Sequence, residues 1–135
     1  TNEMVQHANG LKQVLTEFLA FCGDAKLVAH NAQFDIPWLL TSVIRHQLPL
    51  KASSICCTLK WAKTKEEGKR SLGALSKKYG IGHDSAHRAL ADAVVTKSLF
   101  LIYEKDADET PIEPLDRYME MSHKIVKKHP NFLQP

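Results

Sequence analysis

The sequence predicts an α/β fold. Two short apolar stretches, residues 26–31 (KLVAHN) and 53–58 (SSICCT), are bounded by turn residues and read as buried strands. Longer segments with apolar residues at helical spacing precede, separate and follow them. The resulting order, helix–strand–helix–strand–helices, is the alternation expected of an α/β protein.

Taken in order, Leu11, Val14, Leu15, Phe18, Leu19 and Cys22 mark a first helix with one buried face. Asn9 or Gly10 can start it and Gly23 can end it. The first strand follows at 26–31. Residues 32–47 form the next helix, with Asn31 as the expected cap and Pro37 near the beginning, where a missing N–H costs little. Asp35 falls on the first turn, where the helix dipole favours a carboxylate. After the second strand comes a short helix through Trp61, then a charged loop, 65–71. Residues 72–80 form another short helix ending at Gly80. The stretch 86–105 is a long helix whose apolar surface comes from Leu90, Val94, Leu99, Phe100, Leu101 and Tyr103. Residues 106–114 read as a linker, 115–129 as a last helix and 130–135 as a tail, giving a main domain over 1–105 and an appendage over 106–135. Two strands rarely stand alone, so further strands are expected upstream or from a partner, with self-association through the open sheet edge as one outcome.

The 135 residues suffice for one domain, and 44% hydrophobic with 24% charged residues is ordinary for a soluble globular protein. No apolar run approaches the ~20 residues of a membrane span, and the first ten residues lack the features of a secretory signal. Three cysteines, Cys22, Cys56 and Cys57, do not make a disulfide framework, so a reducing, cytoplasmic location is expected. Cys56 and Cys57 read as strand core. The net charge of +3 is mild, but Lys60, Lys63, Lys65, Lys69, Arg70, Lys77, Lys78 and Arg88 fall in one stretch that could face phosphates or simply be solvated.

Two segments carry candidate chemistry. AHNAQFD (29–35) places Asp35 just beyond a strand end, where ligands bind in α/β sheets. AHRALADA (86–93) sets His87 and Asp92 among alanines. Residues five apart do not share a helix face, so His87 belongs on the loop or first turn for both to reach one site. His83 and His87 could bind zinc, but no second ligand pair has zinc-site spacing.

HNAQFD followed by HRALADA resembles the second and third motifs of the DEDDh (DnaQ-like) 3′–5′ exonucleases, a family that includes the DNA polymerase III epsilon proofreading subunit. The resemblance extends over residues 2–103, through TNEMV, SICCTLKWAK and SLGALSKKYGI. It implies an RNase H-like fold and a nuclease that releases nucleotides from DNA or RNA 3′ ends with two Mg²⁺ or Mn²⁺ ions. Carried over by position, Asp35 and Asp92 are metal carboxylates and His87 activates the water. Phe34 reads as a core anchor rather than a substrate contact. A DNA polymerase subunit is an implied partner, and no membrane is. The family's first motif, Asp-x-Glu on the first strand, occurs nowhere in the chain. The resemblance places it, with the N-terminal strands, before Thr1, so both are expected upstream. A non-catalytic binding or assembly module built on the same fold is the alternative.

Overall fold

The computed structural model describes residues 10–82 and 88–131. Helix α1 spans Leu11–Cys22, strand β1 Leu27–Ala29, helix α2 Ala32–Arg45 and strand β2 Ser54–Cys57. Helices α3 (Thr58–Lys65), α4 (Leu72–Lys78) and α5 (Arg88–Lys105) follow. The chain closes with strand β3 (Glu113–Pro114), a 3₁₀ turn (Leu115–Tyr118) and helix α6 (Met119–Lys128). No helix among the described residues is long and apolar enough to cross a membrane.

The sheet order is β1-β2-β3. β1 and β2 are parallel, with Leu27, Val28 and Ala29 opposite Ile55, Cys56 and Cys57. β3 is antiparallel to β2. Side-chain alternation along a strand divides these residues between two layers. Ile55 and Cys57 join Ala32, Ile36 and Leu40 of α2 and Leu115 and Tyr118 beyond β3. Cys56 faces the other way, into Trp61 and Ala62 of α3, Leu75 of α4, and Leu99 and Tyr103 of α5. The vicinal cysteines are strand core, as expected, but they serve separate cores.

Helix α4 stops at a glycine for a conformational reason. Gly80 has φ +66°, and the N–H groups of Gly80 and Ile81 bond to the carbonyls of Lys77 (3.3 Å) and Ser76 (2.8 Å). This is a Schellman closure, which needs the left-handed residue that glycine supplies at no steric cost.

Several expectations are corrected. Asn31 occupies the cap position of α2, but its φ of 73° is left-handed and its side chain makes no capping bond. The freed N–H of Ala32 meets Cys57 Sγ at 3.4 Å instead, and that of Phe34 meets the Asn31 carbonyl at 2.9 Å. Pro37 lies beyond the first turn of α2 and is fully buried, so its ring is tolerated as packing rather than as a free helix start. Helix α3 continues past Trp61 to Lys65. The stretch read as a linker contains β3, whose Glu113 is held by Lys60 (2.7 Å), Arg117 (3.2 Å) and Tyr118. A two-residue pairing carries no periodic signal. Helix α6 then packs along α2, joined by the buried Thr41–Ser122 hydroxyl pair at 2.9 Å.

The first and fifth helices differ most. Only Leu15 and Leu19 of α1 are buried, while Leu11, Val14 and Phe18 are exposed. On α5, Ala91, Val95, Leu99 and Tyr103 face the core, whereas Leu90, Val94 and Leu101 point outward. A helix apolar on both faces is built to be covered on both. Among the described residues, β1 has no strand on its outer edge.

Candidate functional site

The turn from β1 into α2 sets the site. Ala29 ends the strand, His30 and Asn31 make the turn, and Asp35 lies on the first turn of α2. A non-glycine residue in the left-handed region costs about 1–2 kcal/mol, least for Asn and Asp, so Asn31 suits its place. The His30 imidazole is clamped. Its Nδ1 is 2.9 Å from Thr58 Oγ1, and its Nε2 is 2.9 Å from the Arg70 carbonyl. Burial pushes the His30 pKa down, although the bond to the Arg70 carbonyl works the other way.

A cavity of ≈ 880 Å³ opens at this turn. Asp35 and Asp92 both line it, with His30, Asn31, Phe34 and Lys97. Two carboxylates distant in sequence thus reach one space, one from the start of α2 and one from α5. Ala89 and Ala93 flank Asp92 in the wall, so the small residues of this segment leave room there. Partial burial pushes the Asp35 pKa up. The histidine of the same motif, His87, lies outside the described residues, as does His83.

Phe34 is not a core anchor. It is 65% exposed and stands at the cavity wall. Ala32, Ile36 and Leu40 are buried at four-residue intervals, but Pro37 and Thr41, three and seven residues beyond Phe34 and on its side of α2, are buried as well. Phe34 is therefore exposed by its place on the first turn at the cavity wall and not by the phase of the helix. Reading the sequence also missed His30. Its signal was available: a histidine directly after a buried strand, at a strand-to-helix turn, has a fixed place to put both ring nitrogens.

The exonuclease family model matches residues 1–100. The chain belongs to the DnaQ-like exonuclease family. Among its relatives, a PolC-type DNA polymerase III of Streptococcus thermophilus is 40% identical over 111 residues, which cover 81% of this chain and 8% of the relative. The PolC-type polymerase of Streptococcus pneumoniae is 38% identical over the same length. That of Streptococcus mutans is 34% identical over 128 residues, 93% of this chain and 9% of its own. The chain therefore spans under a tenth of the length of these relatives. No solved structure matches it significantly.

Around the cavity this family member has an anchored frame. Glu66, 4% exposed, accepts hydrogen bonds from Tyr103 (3.0 Å), Tyr79 and Lys78. Burial alone would raise its pKa, but these donors outweigh that and hold the carboxyl below its ordinary value. The Glu66 carbonyl accepts from Arg70 Nε (3.2 Å) and Nη2 (2.8 Å). Arg70 in turn presents its own carbonyl to His30. Thus the basic stretch is partly consumed in structure: Lys60, Arg70 and Lys78 have intramolecular acceptors.

Proposed function

We propose that the protein containing this chain is a metal-dependent 3′–5′ exonuclease that removes nucleotides from DNA or RNA ends, in a proofreading or repair setting in the cytoplasm. The observation that carries this reading is the convergence of Asp35 and Asp92 on one cavity at the carboxyl end of β1. Family membership and the PolC-type DNA polymerase III relatives support it, and favour DNA as substrate and a polymerase as partner.

The donor set fits Mg²⁺ or Mn²⁺, which take hard carboxylate oxygens. Asp35, with its pKa raised by burial, is a carboxylate that a nearby cation would return to the charged form. Asp35 and Asp92 would hold the ions. Two ions, when bound, supply charge stabilisation to the attacking and leaving oxygens of an in-line displacement. His87 would take the proton from the attacking water, a task suited to an imidazole that titrates near neutrality. Phe34, exposed beside the carboxylates, offers an aromatic face on which a terminal base can stack.

Two carboxylates are fewer than a two-metal site uses, and among the described residues no three His, Cys, Asp or Glu side chains gather to hold a metal. The open edge of β1 and the outward apolar faces of α1 and α5 supply the complement to this reading. We infer that further strands, not among the described residues, pair with β1, complete an RNase H-like sheet and bring the remaining carboxylates. Left unpaired, that edge would associate with a second copy, which sedimentation measures directly.

The deciding experiment uses the full-length protein, a strand labelled at its 5′ end and Mg²⁺ or Mn²⁺. We expect successive shortening from the 3′ end, reduced by orders of magnitude in Asp35→Asn and in Asp92→Asn with folding intact. Near wild-type digestion by Asp92→Asn overturns the site. Strand binding without digestion by the unaltered protein would favour the non-catalytic module instead.

A further inference from the structure

We propose that His30 is a positioning residue for Asp35: its imidazole locks the turn between β1 and α2, and through it the direction in which the Asp35 carboxylate enters the cavity. The inference rests on the reading of Asp35 as a metal ligand.

The ring is held at both nitrogens. The Arg70 carbonyl can only accept, so Nε2 carries a proton and donates to it across 2.9 Å. In the neutral ring Nδ1 is then the acceptor, and the Thr58 hydroxyl, 2.9 Å away, donates to it. With both nitrogens engaged, His30 has no free position for a substrate proton, although it lines the cavity. That separates its role from the one given to His87.

Both partners are themselves held by packing or hydrogen bonds. Thr58 is fully buried at the start of α3. The Arg70 guanidinium is fastened to the Glu66 carbonyl, and Glu66 is fastened to α4 and α5 through Tyr79, Lys78 and Tyr103. His30 therefore ties the end of β1 to a loop that is tied to the opposite layer. What it steadies needs steadying. Asn31 is left-handed, and the cap of α2 lacks a side-chain bond. Backbone held in a sparsely populated region persists only where its surroundings over-determine it. The other ties at this turn are the Ala32 N–H to Cys57 Sγ contact at 3.4 Å, the Thr58 hydroxyl contact to the Ala29 carbonyl at 3.4 Å and the Phe34 N–H to Asn31 carbonyl bond. Of these ties, only the His30 clamp reaches across to the 66–71 loop. The logic is that of groups that orient metal ligands from behind, whose loss costs about 10–100-fold in metal affinity or activity.

The test is Mn²⁺ binding to the full-length protein by calorimetry, with kcat, KM and the thermal midpoint measured beside it. His30→Ala should weaken Mn²⁺ binding by about 10-fold or more and lower kcat, with the KM for a single strand nearly unchanged. His30→Gln places an amide nitrogen near the position of Nε2, keeps the donation to Arg70 and should recover most of the affinity. His30→Asn places it near Nδ1 and should not. If His30→Ala does not fold, Thr58→Val removes the Nδ1 partner, with that hydroxyl's longer 3.4 Å contact to the Ala29 carbonyl, keeps the Arg70 bond and should weaken Mn²⁺ binding in the same direction. Asp35→Asn separates the two readings. Native Mn²⁺ affinity and activity in Asp35→Asn overturn the site, and His30 with it. Loss in Asp35→Asn, with native Mn²⁺ affinity in His30→Ala or, failing that, in Thr58→Val, overturns the role of His30 alone. A lowered thermal midpoint with unchanged Mn²⁺ affinity likewise shows His30 to be structural only.

Discussion

The Tyr103 hydroxyl donates to the buried carboxylate of Glu66 across 3.0 Å. The bond joins the loop after α3 to the C-terminal half of α5, beneath the ring of Trp61, whose centroid is 5.4 Å from that of Tyr103. Hydrogen bonds to charged groups contribute about 1.5–3 kcal/mol. Tyr103→Phe keeps the ring and removes the donor, so we expect urea unfolding to show a loss of that size. A change below experimental error would mean that Tyr79 and Lys78 satisfy Glu66 by themselves.

Acid should loosen the same cluster. Glu66 and Glu113 both have carboxyl pKa values held below the ordinary 4.5, against burial, by hydrogen bonds from Lys78, Tyr79 and Tyr103 and from Lys60 and Tyr118 respectively. A carboxyl with a depressed folded-state pKa adds stability that is fully present above its unfolded value and is lost as pH falls through the folded one. The thermal midpoint should therefore fall gently below about pH 6.5, where the unfolded chain protonates His30 more readily than the folded one, and more steeply below about pH 5 as Glu66 and Glu113 take up protons. Glu66→Gln should start lower and fall less steeply. A midpoint insensitive to acid would contradict the two carboxylate clusters.

The Thr41–Ser122 pair tests whether α6 belongs to the folded unit. Thr41→Val strands the buried Ser122 hydroxyl, at a cost of about 1–3 kcal/mol. Adding Ser122→Ala removes the stranded group and should restore part of that loss, which a double-mutant cycle measures. Additive losses would show that the pair is not coupled.

His87→Ala in the full-length protein should lower kcat by about 10²–10⁴-fold while Mn²⁺ and strand binding survive. The lower limb of the pH–rate profile should vanish with it. Loss of Mn²⁺ binding as large as in the aspartate variants would make His87 a ligand instead.

Most of the layer order was legible because apolar spacing survives as a local signal: α1, α2, α5 and both parallel strands announce themselves in residues such as Leu19, Leu40, Leu99 and Ile55. Asp35 and Asp92 were legible as motif positions, and their meeting in one cavity is a tertiary fact. What escaped was non-local or too short to have a period. β3 is two residues long. Phe34 reads as core in composition, and Pro37 and Thr41 on the same side of α2 are buried, but at the first turn Phe34 stands exposed at the cavity wall. The left-handed Asn31 replaces a side-chain cap by a cysteine sulfur from the neighbouring strand, a substitution no linear pattern encodes.

The alternation of Cys56 and Cys57 between two cores gives the chain a built-in chemical clock. Both thiols are buried, and burial, with smaller contributions from Cys57 and Glu113, pushes the Cys56 pKa up to about 11. A buried thiol that stays protonated is nearly inert toward alkylating reagents, because the thiolate is the nucleophile. Cys22 is half-buried and stands outside both cores. Its modification should come first and report only the α1 end. The rate at Cys56 then times the opening of the α3–α4–α5 side, and the rate at Cys57 times the opening of the α2–α6 side. Equal rates at the two positions would mean that the layers come apart in a single event, and unequal rates would rank them.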